Sequence, residues 1–422
     1  MNKQKLYDAY TGILREELQT AMGCTEPIAI AYCAALAAQT LGCPPERYVA
    51  RCSGNIIKNT KSVTVPQTGG LRGIEAAVLA GAVGGDPGRR LEVLAGVGDA
   101  QRAQIRKQLA AHAVEVQLLD TPHALHIIVE CRAGAQSASA EIIDAHTNVG
   151  AVYKNGELLH AALPAAQTSA QDERELLNVR DILAYAREVP LASVRDVLER
   201  QIECNSAIAA EGLRGDWGAC VGKTLLRSED TPRTRLKAVA AAGSDARMSG
   251  CPLPVVINSG SGNQGMAASL PVIEYARQKG IPHEMLLRAL CVSNLLSVHQ
   301  KTGIGKLSAF CGATSAATGS AAAIAFLDGQ DYDCITKTIE NSLATVGGML
   351  CDGAKASCGA KIATALECAL TGYEMAKSGE GFRCGEGIVK SDVEQTIETV
   401  GRIASEGMKG TDQVILETML EQ

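Results

Sequence analysis

Residues 123–159, HALHIIVECRAGAQSASAEIIDAHTNVGAVYKNGELL, decide the fold class. The runs HALHIIVECRA (123–133), SASAEIID (137–144) and AVYKNGELL (151–159) are short and apolar in the manner of strands. Asn155-Gly156 is a hairpin signal, because a two-residue turn of the favoured hand needs positive φ at both central residues. The same texture extends outward to VARCSGNIIK (49–58), SVTVP (62–66), LEVLAGV (91–97) and VEVQLLD (114–120), with two helical stretches between them. Residues 46–165 are therefore expected to form a compact α+β unit.

On either side the pattern is helical. Leu6, Tyr10, Ile13, Leu14 and Leu18 fall at helical spacing within 4–21, and IAIAYCAALAAQTL (28–41) follows Glu26-Pro27, with a break at Gly23-Cys24-Thr25. After PAAQTSAQ (164–171) the helical period returns near 172–187, 190–210, 232–247, 265–279, 284–300, 308–327, 331–347, 355–376 and 390–406. The expected architecture is α+β: a mostly helical catalytic domain of residues 1–45 plus 166–422, with the α+β domain of 46–165 inserted.

Forty basic against 46 acidic residues give a net charge of −6, the wrong sign for a chain that wraps nucleic acid or anionic lipid. The N-terminus lacks the apolar core of a signal peptide, and no apolar run reaches the roughly 18 residues of a membrane span. A cytoplasmic protein acting on a small polar substrate, as a monomer or a homo-oligomer, is the expectation. Fifteen cysteines are unusual in such a chain and argue for buried thiols, a metal site or a reactive thiol rather than a disulfide framework.

Most of the fifteen read as small core residues, Cys33 and Cys368 among them. Cys311 in SAFCGAT, Cys351 in GGMLCDGAK and Cys358 in KASCGAK differ, because glycine-flanked breaks between helices allow thiolates to converge. Three thiolates make a poor closed zinc site and suit a 4Fe-4S cluster with one open iron; packing thiols are the plain alternative. Cys24 in MGCTEPIAIA precedes a helix whose dipole would favour thiolate, so it reads either as a base or nucleophile or as a buried thiol in a helix connection.

Two glycine loops complete the set. SGNIIKNTK places Ser53, Asn55, Lys58 and Asn59 together. NSGSGNQGM (258–266), with Ser259, Gly260, Ser261, Gly262 and Asn263, has the form of an anion nest at a helix start, and two tight turns would explain it equally. His299 and Lys306 before Cys311, Asp352 and Lys355 between the other two cysteines, and Glu26 beside Cys24 read as solvated or dipole-matched charges, or as groups tuning the site.

GCTEP, SGNIIKN, SGSGNQG, KTGIGKLSAFCGA and MLCDGAKASCGAK occur in an order and spacing that resembles the iron–sulfur L-cysteine desulfidase family, relatives of the bacterial L-serine dehydratase alpha chain. The resemblance spans nearly the whole chain. It implies that Cys311, Cys351 and Cys358 hold a 4Fe-4S cluster and that Cys24 is the catalytic base. The implied activity converts L-cysteine and water to hydrogen sulfide, ammonia and pyruvate without pyridoxal phosphate, with L-serine dehydration by the same route as the alternative. The substrate carboxylate is expected in the 259–265 nest and the rest of the amino acid on the 53–59 loop. A pyridoxal-phosphate lyase would need a Schiff-base lysine and an open α/β sheet, and a non-enzymatic iron–sulfur redox or sensor protein would leave the carboxylate-binding loops unused.

Overall fold

The computed structural model describes residues 2–161, 173–305 and 307–421, so Lys306 and the 164–171 connection lie outside the described residues. Helix α1 (Lys3–Glu17) buries Tyr10, Ile13 and Leu14 along one stripe. It ends four residues earlier than its apolar spacing suggests, because Thr20–Met22 forms a short strand, β1, paired with a strand more than 200 residues away. Helix α2 (Thr25–Leu41) is almost wholly buried and stops at Gly42, whose φ of 81° makes a left-handed cap.

The next elements are β2 (Arg47–Cys52), α3 (Gly54–Thr60), α4 (Gly73–Gly84), α5 (Asp99–Ala110), β3 (Val114–Leu118), β4 (His126–Ala133), β5 (Gln136–Ile143), β6 (Val149–Lys154) and β7 (Glu157–Ala161). The six strands form one sheet in the order β3-β2-β4-β5-β6-β7, with only β2 and β3 parallel. Period-two burial of Ile127, Val129 and Cys131 on β4 and of Ala138, Ala140 and Ile142 on β5 makes the inner face. Asn155 and Gly156 turn the β6–β7 hairpin with φ of 50° and 83°.

Three strand-like runs behave differently. SVTVP contributes only an isolated bridge from Thr64 to Arg72. LEVLAGV begins in the end of a 3-10 turn (Pro87–Glu92) and buries Val93 and Leu94 in an irregular plug of the core. GNIIKNT is the short helix α3, with Ser53 at its N-cap position. Apolar residues in short runs satisfy burial without regard to strand pairing, so the pattern does not separate these cases.

The remaining chain is helical: α6 (Val179–Glu188), α7 (Arg195–Arg214), α8 (Val221–Ser228), α9 (Pro232–Met248), then β8 (Pro254–Val256), α10 (Gly262–Lys279), α11 (His283–Ile304), α12 (Ala313–Leu327), α13 (Tyr332–Val346), α14 (Cys358–Lys377), α15 (Val393–Arg402) and α16 (Lys409–Leu420). Helix α8 lies between the helical stretches expected from the sequence. One apolar core runs from the sheet through α2 and α4 into α9, α10, α12 and α14, and a second joins α1, α6, α11 and α13. We keep the division into 1–45 plus 166–422 and 46–165 as a proposal. In it α2 is the joint, because its apolar surface fills the core of the sheet.

Candidate active site

Four helices begin at one place. Cys24 caps α2, Ser261 caps α10, Gly312 caps α12, and Cys358 opens α14, and all four line a single cavity of about 100 Å3, partly open to solvent. Each start leaves backbone N–H groups without intrahelical partners and adds positive potential, so the cavity suits anions.

Strand pairing sets the first two starts together. β1 and β8 run antiparallel, Ile257 N donates to Gln19 O at 2.9 Å, and Thr25 Oγ1 donates to Gly260 O at 2.9 Å. Between β8 and α10, Asn258 and Ser261 exchange backbone hydrogen bonds around Ser259 and Gly260, both at positive φ.

A second pairing brings two cysteines side by side. Phe310 and Leu350 form an isolated antiparallel bridge; Cys311 N donates to Met349 O at 2.8 Å and Cys351 N to Ala309 O at 2.6 Å. The side chains of Cys311 and Cys351 interact, which pulls the Cys351 thiol down and pushes that of Cys311 up, while Lys58, the Gly353 N–H and Lys361 favour the Cys351 thiolate against its burial. Cys358 faces the same cavity, and its charge interacts with that of Cys351. Gly353, at φ 92°, presses this loop on α3, since a Cβ there would lie 2.3 Å from Lys58 O.

Cys24 departs from the expectation of a dipole-stabilised thiolate. Its thiol is 3% exposed and donates to Glu26 Oε2 at 2.9 Å. Burial, then the Glu26 charge, push it well above the usual thiol value, with Arg247 pulling the other way. The resting group is a protonated thiol already bonded to a carboxylate.

The expected substrate loops divide. Asn59, Ser261 and Asn263 line the cavity. Ser53, Asn55 and Lys58 face a neighbouring groove; Ser53 Oγ donates to Ala124 O, and the Lys58 amine pairs with Asp412 while its charge still reaches Cys351. Ser259 Oγ turns to Asn258 Oδ1, Gly260 backs onto His146, and Gly262 packs on Arg247. Among the flanking charges, His299 bonds Glu394 at 2.6 Å and ties α11 to α15. Asp352 is held well below the usual carboxylate range, despite burial, by Lys355 and Lys361, and so braces the cysteine loop.

Sequence reasoning missed Arg247, Gln264, Lys301 and Lys361, which also line the cavity. Lys301 is buried in α11, which pulls its amine down to about 8 against the thiolate charges of Cys351 and Cys311. Arg247 was visible, with Asp245, as one of two charges in AVAAAGSDARMSG (238–250), where small residues mark a buried helix and a charge within it needs a purpose.

Soft sulfur donors from three cysteines, with Lys301, Lys361 and Lys58 nearby to offset negative charge, fit an iron–sulfur group. Among the described residues no three His, Cys, Asp or Glu side chains close around a single metal ion. Cluster ligands bind separate irons at the corners of a cube and therefore stand further apart than ligands of one ion.

Fold and cavity define an α+β protein with a partly open cavity among helix starts. Residues 89–417 match the serine dehydratase alpha chain family, and the chain belongs to it. It is 49% identical over 423 residues to a UPF0597 protein of Desulfitobacterium hafniense (strain Y51), covering 100% of this chain and 98% of that one. A UPF0597 protein of Finegoldia magna is 46% identical over 414 residues (98% and 99% covered), and one of Treponema denticola is 45% identical over 429 residues (100% and 99%). No described helix is long and apolar enough to cross a membrane.

Proposed function

We propose that this chain is a cytoplasmic lyase that removes the β-substituent of a small amino acid, with L-cysteine and water giving hydrogen sulfide, ammonia and pyruvate. The carrying observation is that Cys24, Cys311, Cys351 and Cys358 line one cavity at four helix starts. Cys311, Cys351 and Cys358 would hold a 4Fe-4S cluster, which when bound supplies a Lewis acid for the departing sulfur or oxygen. Cys24 would take the α-proton on Sγ. Because its resting thiol is protonated, Glu26 Oε2 first accepts the Sγ proton across the existing hydrogen bond, and thiolate then forms beside Arg247. Asn59, Ser261 and Asn263 orient the polar groups of the substrate. Loss of the β-group leaves aminoacrylate, which water converts to pyruvate and ammonia. The family's name favours L-serine as a second substrate, handled by the same residues.

The test is iron and sulfide content of anaerobically purified protein together with pyruvate release from L-cysteine and L-serine. Cys311→Ser, Cys351→Ser and Cys358→Ser should each lose iron, while Cys368→Ser should not. Cys24→Ala should keep iron and lose turnover by at least about a hundredfold. Iron-free wild type, or loss of iron in Cys24→Ala, would overturn the assignment of ligands and base.

A further inference from the structure

We propose that Arg247 is the carboxylate anchor of this cavity and that Asn263 and Gln264 receive an adjacent ammonium, so the site is built for an α-amino acid zwitterion. The proposal rests on reading the cavity as the substrate site and moves the carboxylate from the 259–265 turn to the side chain behind it.

Arg247 is 2% exposed, and its Nε and Nη2 are buried without a hydrogen-bond partner among the described residues. Its guanidinium lies against the first residue of an 18-residue helix: a Cβ on Gly262 would stand 2.4 Å from Nε and 2.8 Å from Cζ. A permanent cation is thus packed on the positive end of a helix, out of water. An unpaired buried charge is destabilising, and the helix start adds repulsion rather than relief. An anion placed at this point would face both.

The described neighbours do not supply it. Glu26 Oε2 already accepts from the Cys24 thiol, and Glu26 forms no ion pair with Arg247. Asp245, two residues earlier on α9, accepts from Gly222 N and abuts Gly359. The thiol of Cys24, which Arg247 does influence, is held protonated by burial and by Glu26. A planar guanidinium fork matches a carboxylate with two parallel hydrogen bonds, which a point charge cannot do.

The next groups along the wall have the opposite polarity. Asn263 Oδ1 and Gln264 Oε1 are buried acceptors without partners among the described residues, and both residues line the cavity. Gly312 is small because the Gln264 carboxamide lies over it; a Cβ there would sit 2.3 Å from Cδ. The Arg247 donors, reaching from α9, lie against Gly262, and the acceptors of Asn263 and Gln264 follow on the first turn of α10, an order that complements a carboxylate and an ammonium on one carbon.

Titration calorimetry of the anaerobically purified protein with L-alanine, which has no β-leaving group, and with L-alaninamide, which has no carboxylate, tests this. The wild type should bind L-alanine at least tenfold more tightly than L-alaninamide, which corresponds to about 1.4 kcal/mol. Arg247→Lys, which keeps the charge and loses the fork, should weaken L-alanine at least tenfold with iron content unchanged, and Arg247→Met should weaken it further. Equal binding of the two compounds, no uptake of L-alanine by the wild type, or unchanged affinity in Arg247→Lys would overturn the proposal. Loss of iron in both variants would also overturn it, by making Arg247 a counter-charge of the cluster. The lyase reading fails separately: L-alanine binding that depends on Arg247, without pyruvate from L-cysteine or L-serine, removes that reading and leaves the anchor standing.

Discussion

The Cys24 thiol donates a 2.9 Å hydrogen bond to Oε2 of Glu26, two residues further along the first turn of α2. The helix dipole favours a thiolate at this position, yet burial and the neighbouring carboxylate outweigh it, and the thiol stays protonated well above its usual range.

Glu26→Gln removes both the charge and the strong acceptor, so the Cys24 pKa should fall in that variant. Peptide-resolved alkylation across pH measures it: Cys24 of the wild type should stay slow at neutral pH, and in Glu26→Gln its rise should begin at lower pH. An unchanged profile would mean that burial alone sets the thiol.

Asp245 gives a signed pH effect. Burial pushes its carboxyl up to about 6 from 3.8, against backbone N–H donation from Gly222 and Val221. The folded state then holds this proton more tightly than the unfolded one, so the contribution is fully present below 3.8 and is lost as pH rises through about 6. The urea midpoint of wild type relative to Asp245→Asn should fall across that window and level off above it.

Gly81 is where α4 crosses α2, and a Cβ there would stand 2.0 Å from Ala31 O. Because the obstacle is backbone, Gly81→Ala should destabilise by about 1–3 kcal/mol in chemical denaturation. Gly410→Ala, with nothing within 4 Å, should be neutral or stabilising by up to about 1 kcal/mol.

The Lys58 amine is 1% exposed and pairs with Asp412 on α16, a helix that buries none of its described residues. Asp412→Asn leaves a buried ammonium unpaired, at a cost of about 3 kcal/mol if α16 stays docked. Undocking is the cheaper response, so hydrogen exchange should quicken in 409–420 while the β4 and β5 amides hold their protection. A second change, Lys58→Met, should restore part of the protection.

Local pattern alone determined much of this protein. Alternation and the Asn155-Gly156 turn identified the sheet strands, helical spacing located most of α1 to α15, and glycine-flanked breaks singled out Cys311, Cys351 and Cys358. These features depend on residues close together in the chain, whose side-chain direction repeats with the backbone period. Tertiary structure alone decided the rest. β1 and β8 are three-residue strands whose pairing spans more than 200 residues, so neither has a period to detect, yet they seat Cys24 beside Ser261. The same holds for the Phe310–Leu350 bridge that sets Cys311 against Cys351. The state of the Cys24 thiol depended on depth of burial and on Glu26 turning inward, and the isolation of Arg247 on α9 depended on the start of α10 packing over it. Burial and charge balance are sums over neighbours in space, and most of those neighbours are remote in sequence.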